Sequence, residues 1–331
     1  MLYINTDMNG RGYLGVGGSH ALQHFASEAA RDVKDPETGS SVLTRALAQR
    51  RVAGSAGAGH AGSGEDLDLG ALGSGSDFTP FLQHLGINSL DVAFDGESDY
   101  GVYHSAYDSF DHFRRFVDPS LDYVVALAKV AGRLALRTAQ ANLLPASEGD
   151  FAASVAGYGD ELHKLADDMR TATLEQGKLL DEHAYTLTSD PTRPLVPPAR
   201  DAQVPYLNFA ALDNAVAKLK QSATAFDLAY ARLAAAGDAH SAAQRAQMNA
   251  ILGSLERSLT DARGLPGREW YQHMLYAPGK YTGYGVKTLP GIREAIEERH
   301  WDEANQYVGV VAHALNAYSA ALDRAGSSSN P

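Results

Sequence analysis

Leu2-Tyr3-Ile4-Asn5-Thr6-Asp7 opens the chain, and its reading decides the fold. A short β-forming run leads to Asp7 and then to the turn-rich Asn9-Gly10-Arg11-Gly12, which predicts a strand that ends in a carboxylate. An Asp at the C-terminal end of a strand, before a Gly-rich turn, is where α/β proteins place ligands, although such residues also serve as plain turn formers. Working outward, Ser19 is suited to cap a helix through Leu22, Phe25, Ala26 and Ala29 to Val33, and a second helix is expected over Val42 to Arg50. Residues 53–64, nearly all Ala, Gly and Ser, read as a surface loop. A short helix over Asp77 to Leu85, a strand over Leu90 to Phe94 and an acidic loop to Tyr103-His104 follow. Asp118-Pro119 then starts a long helix by cap and N1 rules, with Leu121, Val124, Val125, Ala128 and Leu136 striping one face.

Beyond Leu143 the pattern changes from mixed α/β to helical, and no convincing strand is expected. Helices near 150–176, 208–236, 240–263 and 302–324 carry Ala and Leu at 3.6 spacing, as in Leu212, Val216, Leu219, Ala223 and Phe226. The segment 190–205, with Pro191, Pro194, Pro197, Pro198 and Pro205, reads as an extended connector. A second non-helical island, Leu265 to Pro290, is rich in Gly, Pro and Tyr and must be held by specific contacts or serve a site. The expected architecture is an α/β part over residues 1–142 followed by an all-α helical bundle over residues 143–331.

The chain has 331 residues with 28 Lys and Arg against 40 Asp and Glu, a net charge of −12. That balance offers no global basic field for nucleic acid. Hydrophobic residues make up 44%, which suits a folded globular chain. There is no Cys, so disulfides, thiolate zinc sites and Cys nucleophiles are excluded, leaving carboxylates and the 12 His as candidate metal ligands. No run of about 18 apolar residues suggests a membrane span. Met1 to Asn5 shows no basic region followed by a long apolar run, so no signal peptide is read there.

The motifs are individually modest. The run Gly15-Val16-Gly17-Gly18-Ser19-His20 fails the dinucleotide fingerprint, because His stands where Gly or Ala is needed, and no Gly-Lys-Ser/Thr follows. His20 and His24 have the spacing of a zinc pair, but Ala21 stands where a catalytic Glu would be, so solvated or capping histidines are expected. Gly73-Ser74-Gly75-Ser76-Asp77 is not a hydrolase elbow, since Asp77 replaces the second Gly. No Lys or Arg lies between Arg51 and Arg114, while acidic residues recur there, a field that suits either solvent or a divalent cation. Tyr276-Ala277-Pro278-Gly279-Lys280-Tyr281 displays an ammonium and a phenol on a turn, suitable for a carboxylate or for loop packing.

Taken in order, Tyr3 to Asp7, Leu72 to Phe78, Tyr103-His104-Ser105-Ala106-Tyr107-Asp108, Gly264-Leu265-Pro266, and Tyr276-Ala277-Pro278 with Lys280-Tyr281 resemble the glutamate carboxypeptidase II family of zinc exopeptidases and its transferrin-receptor-like dimerisation domain. The resemblance implies an aminopeptidase-like α/β domain with two zinc ions sharing a water. It implies that Asp7 ligates one zinc and His104 the other, that Tyr103 stabilises the oxyanion, that Ser74 and Gly75 line the substrate cleft, and that Lys280 and Tyr281 receive substrate carboxylates. It also implies an extracytoplasmic protein that forms a homodimer and acts on peptides. The family's remaining metal ligands and its general-base Glu precede the strand that here begins at Leu2. The chain is therefore expected to be a C-terminal portion, inactive without an N-terminal half supplied in cis or as a separate polypeptide. The family's arginine patch has no counterpart, because the matching stretch Asn88 to Tyr100 is acidic. The alternative is a non-catalytic dimerisation or interaction protein resembling transferrin receptor.

Overall fold

The structure, a computed structural model, describes residues 1–53, 65–97, 101–236 and 242–328. The loop expected at 53–64 lies, apart from Ala53, outside the described residues. The mixed part contains β1 (Leu2–Asn5), β2 (Gly12–Gly18), α1 (Gln23–Arg31), α2 (Val42–Ala53), β3 (Asn88–Gly96), the single turn α3 (Phe110–His112) and α4 (Asp122–Gln140). Sheet order is β1-β3-β2: β1 runs parallel to β3, with Tyr3 opposite Ser89, and β2 runs antiparallel to it. Alternation sets the faces. Leu90, Val92 and Phe94 of β3, with Leu14 and Val16 of β2, turn inward onto Phe25, Ala29, Leu43, Tyr123 and Val130 of the helices. Asp91, Ala93 and Asp95 therefore point to the opposite face. The run Gly12 to Gly18, to which the sequence pattern assigns no element, is a strand.

Three expectations in this part are corrected. Ser19 precedes only a three-residue 3-10 turn, His20–Leu22, without a side-chain capping bond; its hydroxyl instead accepts from the Ser89 amide at 3.1 Å. The apolar stripe proposed for α4 is also the wrong one. Tyr123, Ala126, Leu127, Val130 and Leu134 are buried, while Val124, Val125 and Leu136 are exposed. Both sets recur at helical spacing, and the sheet selects the one containing the larger ring. The helix starts at Asp122 rather than at Asp118-Pro119: Pro119 lies in the turn before it, Leu121 holds the cap position in the left-handed region, and the Asp118 carboxylate reaches the first turn, accepting from the Tyr123 and Val124 amides at 3.0 and 3.2 Å.

The helical part comprises α5 (Glu148–Asp181), the short α6 (Ala184–Leu187), α7 (Ala210–Ala236), α8 (Ala242–Leu252), α9 (Pro290–Glu297) and α10 (Trp301–Ser328). Leu212, Leu219, Ala223 and Phe226 of α7 are buried against α10 and α5, and Phe151 stacks on Tyr318 at 4.5 Å. Asp227 of α7 caps α5, accepting from the Glu148 and Gly149 amides at 3.0 and 2.8 Å. Residues 194–209 form neither helix nor strand and run back along α5, where the Asp201 amide donates to the Gln176 side chain at 2.9 Å. The helix expected over 240–263 ends at Leu252, before Gly253 and a 3-10 turn Glu256–Leu259. The absence of strands after Leu143 is likewise corrected: β4 (Tyr276–Pro278) and β5 (Val286–Thr288) pair antiparallel within the Tyr-rich island. Among the described residues no helix is long and apolar enough to cross a membrane.

A buried polar seam joins the two parts. His20 is 1% exposed, and its Nε2 lies 2.6 Å from the Tyr158 hydroxyl of α5, so it is neither solvated nor a cap. Glu256 accepts from Tyr276 at 2.6 Å and pairs with His273 at 3.0 Å. Burial opposes the charge of Glu256, but these two partners and Ser19 outweigh it and lower its pKa. Glu148 is the reverse case. Burial pushes its pKa up to about 8 despite a 2.7 Å hydrogen bond from Tyr318.

Candidate functional site

A cavity of about 340 Å³ opens where β1 ends, against residues 71–78, the Asp91 position of β3 and the β4–β5 island. Asp7, Ser74, Gly75 and Tyr103, drawn from three separate stretches of sequence, all line it. His104, Lys280 and Tyr281 do not.

The floor is a chain of hydrogen bonds built on Asn5, which is 5% exposed. Its Nδ2 donates to Ser76 Oγ and to Asp91 Oδ1, each at 2.9 Å, and its Oδ1 accepts from Tyr3 at 3.3 Å. The Ser76 hydroxyl in turn donates to Asp7. Asp7 and Asp91 are thereby held on either side of one amide. Burial raises the pKa of Asp91 against the Asn5 hydrogen bond, and the charge of Asp7 adds to the rise. Tyr3 stacks on Phe81 at 4.1 Å and fixes the strand end from below.

The wall is the Gly73–Ser76 turn. Buried Gln83 donates to the Leu72 and Gly73 carbonyls at 2.7 and 2.9 Å, and the Ser74 amide donates to the Tyr284 carbonyl at 3.2 Å. Gly75 has φ +97°, and a Cβ there would lie 2.5 Å from the Tyr284 ring; at Gly73 it would lie 2.1 Å from the Tyr284 carbonyl. Only glycine allows the island to close on the turn this tightly. Tyr103 supplies a phenol that is 46% exposed, and the His104 ring stacks on it at 3.8 Å from a left-handed backbone, φ +60°.

Lys280 is held elsewhere. Its Nζ pairs with Glu298 at 2.9 Å, and its backbone amide donates to Glu294 at 2.7 Å. Burial opposes its charge, but Glu298 outweighs it and raises the lysine pKa. Tyr281 is 89% exposed. The tyrosine that the island presents to the pocket is Tyr284. His24 is half exposed and pairs with Asp66 at 2.8 Å, which raises its pKa.

Asp7 and His104 are oxygen and nitrogen donors of the kind zinc accepts, yet among the described residues no group of three or more His, Asp or Glu could hold a metal. The residues present thus do not by themselves fit a zinc ion. Asn5, Ser76, Asp91 and Tyr284 are site residues that motif reading passed over. The alternation of β3 carried a signal for Asp91, since burying Leu90 and Val92 turns it to the other face; nothing local announces Asn5 or Tyr284.

Comparison with known proteins agrees with the ordered motifs. Residues 207–323 match the transferrin receptor-like dimerisation domain. The chain is 26% identical over 330 residues to the probable glutamate carboxypeptidase LAMP1 of Arabidopsis thaliana, covering 97% of this chain and 40% of the relative. A probable glutamate carboxypeptidase of Arthroderma benhamiae is 29% identical, over 75% of this chain and 30% of its own. Aminopeptidase NAALADL1 of Rattus norvegicus is 27% identical, over 77% of this chain and 31% of its own. The chain spans about two fifths or less of the length of these relatives. The chain is thus similar to probable glutamate carboxypeptidases, through 97% of its length in one case, and to an aminopeptidase through 77%, and its residues 207–323 match the transferrin receptor-like dimerisation domain.

Proposed function

We propose that this chain supplies the C-terminal part of a dinuclear zinc-dependent exopeptidase that hydrolyses small peptides. Residues 1–142 are read as the second half of the peptidase domain, and residues 143–331, with the 190–205 connector, as the domain through which two copies pair. The observation that carries the reading is the meeting of Asp7, Ser74, Gly75 and Tyr103 in one cavity, four residues picked out from three separate motifs. The sheet supports it too. Its β1–β3 pair is parallel, a type normally covered on both faces, and here, beyond the Tyr3–Phe81 contact, the Asp91 face borders a groove lined by Gly15, Gly17, Asp91 and Ala93.

In this reading Asp7, oriented by the Ser76 hydroxyl, would give one carboxylate ligand and His104 one imidazole, and a metal pair completed by ligands from outside this chain would supply an activated water. Tyr103 offers its phenol to the developing oxyanion. The Gly73–Ser76 turn and Tyr284 shape the cleft and exclude water. The general base and the other ligands come from polypeptide outside this chain. Zinc titration by calorimetry tests this: the chain alone binds no pair of zinc ions, and the chain joined to an upstream half carrying the missing His, Asp and Glu residues binds two. Tight binding of two zinc ions by the chain alone contradicts the reading. Sedimentation at micromolar concentration tests the homodimer, and a monomer there counts against the helical part as an interface.

A further inference from the structure

The pocket carries carboxylates and no cation. Asp7 and Asp91 line it, and no Lys, Arg or His does among the described residues. Nearby cations are engaged: Lys280 pairs with Glu298 at 2.9 Å outside the pocket, and Arg50, which shares the adjoining groove with Asp91, pairs with Asp68 at 3.2 Å. Of the two carboxylates, Asp7 is the one the peptidase reading assigns to a metal. Asp91 is met by neutral donors, the Asn5 side chain at 2.9 Å and the Val92 backbone amide, and by no cation among the described residues that line the pocket. A carboxylate placed beside another carboxylate at a cavity wall is best satisfied by a cation that enters with the ligand. Next to it, Leu72, Phe78 and Val286 provide apolar surface for an alkyl stem.

We infer that Asp91 is a specificity-determining residue that receives a primary ammonium group of the substrate, so that the pocket selects amine-bearing peptides over acidic ones. The inference rests on the peptidase reading for what the ammonium belongs to, not for the binding itself. Two sources share the chemistry, a peptide amino terminus and a lysine side chain. Sequences of the related proteins do not choose between amine and carboxylate recognition, since their names include both an aminopeptidase and carboxypeptidases.

The test uses the full chain and three probes. Leucinamide carries an α-ammonium without a carboxylate, Nα-acetyl-lysinamide a side-chain ammonium only, and N-acetyl-leucine a carboxylate only. Amide shifts at Gly73 and Gly75, followed by nuclear magnetic resonance, are expected with at least one ammonium probe and not with N-acetyl-leucine. The ammonium probe that binds identifies the source. Asp91→Asn, which keeps the acceptor for Asn5, is expected to weaken that binding by roughly tenfold or more. Preference for N-acetyl-leucine, no shift with either ammonium probe at millimolar concentration, or unchanged binding in Asp91→Asn overturns the inference. Because binding needs neither metal nor hydrolysis, ammonium binding by a chain that never yields an active enzyme would sink the peptidase reading alone. Activity with a preference for the carboxylate probe would sink only the role of Asp91.

Discussion

The sheet and the bundle satisfy themselves to different degrees. In the bundle, α5, α7, α9 and α10 enclose one continuous apolar core that reaches as far as Phe78 and Leu82, and even its buried carboxylates find hydroxyl or imidazole partners. The three-stranded sheet packs its long helices on one face, has a β1 edge with no strand beside it among the described residues, and leaves Val124, Val125 and Leu136 exposed on the outer side of α4. The pocket lies at the border, with its acidic floor from the less complete part and Tyr284 from the other. In the proposed reading the closed bundle is the part that pairs, and the sheet that ends in a carboxylate is the part that further polypeptide completes.

Substitutions that break each part's own lock give the largest effects. Phe226→Ala empties the bundle core and is expected to cost about 3–5 kcal/mol in urea unfolding. Arg45→Ala is expected to cost a similar amount, about 3–5 kcal/mol, in the mixed part. It leaves the fully buried Asp35 carboxylate without its guanidinium, which also bridges Glu37, Glu97 and Tyr123. If either variant unfolds both parts in one transition at several probes, the two cores form a single cooperative unit.

The pH response comes next, and it divides the buried carboxylates by the sign of their shift, with both signs in each part. Burial opposes the charge of Asp35, but Arg45 and Thr38 outweigh it and lower its pKa. Its contribution is present above the ordinary carboxylate range and is lost as pH falls through the native pKa, and Glu256 has the same sign. Glu148 has the opposite sign. Its native pKa of about 8 lies above the unfolded value, so the native state holds a proton the unfolded chain has released. Stability is therefore lost as pH rises from about 4.5 to about 8. Asp91 and Asp227, also raised by burial, add to that slope, and Glu148→Gln isolates the Glu148 share. The variant is expected to gain on the order of a few kcal/mol relative to the native chain at pH 8.5 and little at pH 4.5. An unchanged slope would show that Glu148 is not the group responsible.

Smaller effects probe the border and the open face. Ser76→Ala removes the hydroxyl between Asn5 and Asp7 and is expected to cost about 1 kcal/mol. Val125→Ala is expected to change stability by no more than about 0.5 kcal/mol, since its side chain is exposed. A loss comparable to that of a core valine would mean that this face is already covered in solution.

The bundle was legible because Leu212, Leu219, Ala223 and Phe226 leave no competing face on α7. On α4 two apolar stripes compete, and only the sheet decides between them. β4 and β5 escaped because three residues are too few for alternation to show, and β4 ends on Pro278. His20 looked like a surface residue because the partner that buries it, Tyr158, is 138 positions away. Motif order named Asp7, Ser74, Gly75 and Tyr103 together, and these four share one cavity. Asn5 and Tyr284 were not found, since their roles come from hydrogen bonds and close approaches made only after folding.

Hydrolysis of dipeptides in the presence of zinc tests the central claim most directly, using this chain alone, the chain joined to an upstream half that carries the missing ligands and base, and the joined protein with Asp7→Asn. The expected result is no hydrolysis by the chain alone, zinc-dependent hydrolysis by the joined protein, and a loss of at least a hundredfold in Asp7→Asn. Hydrolysis by the chain alone, or a joined enzyme indifferent to Asp7→Asn, would contradict it.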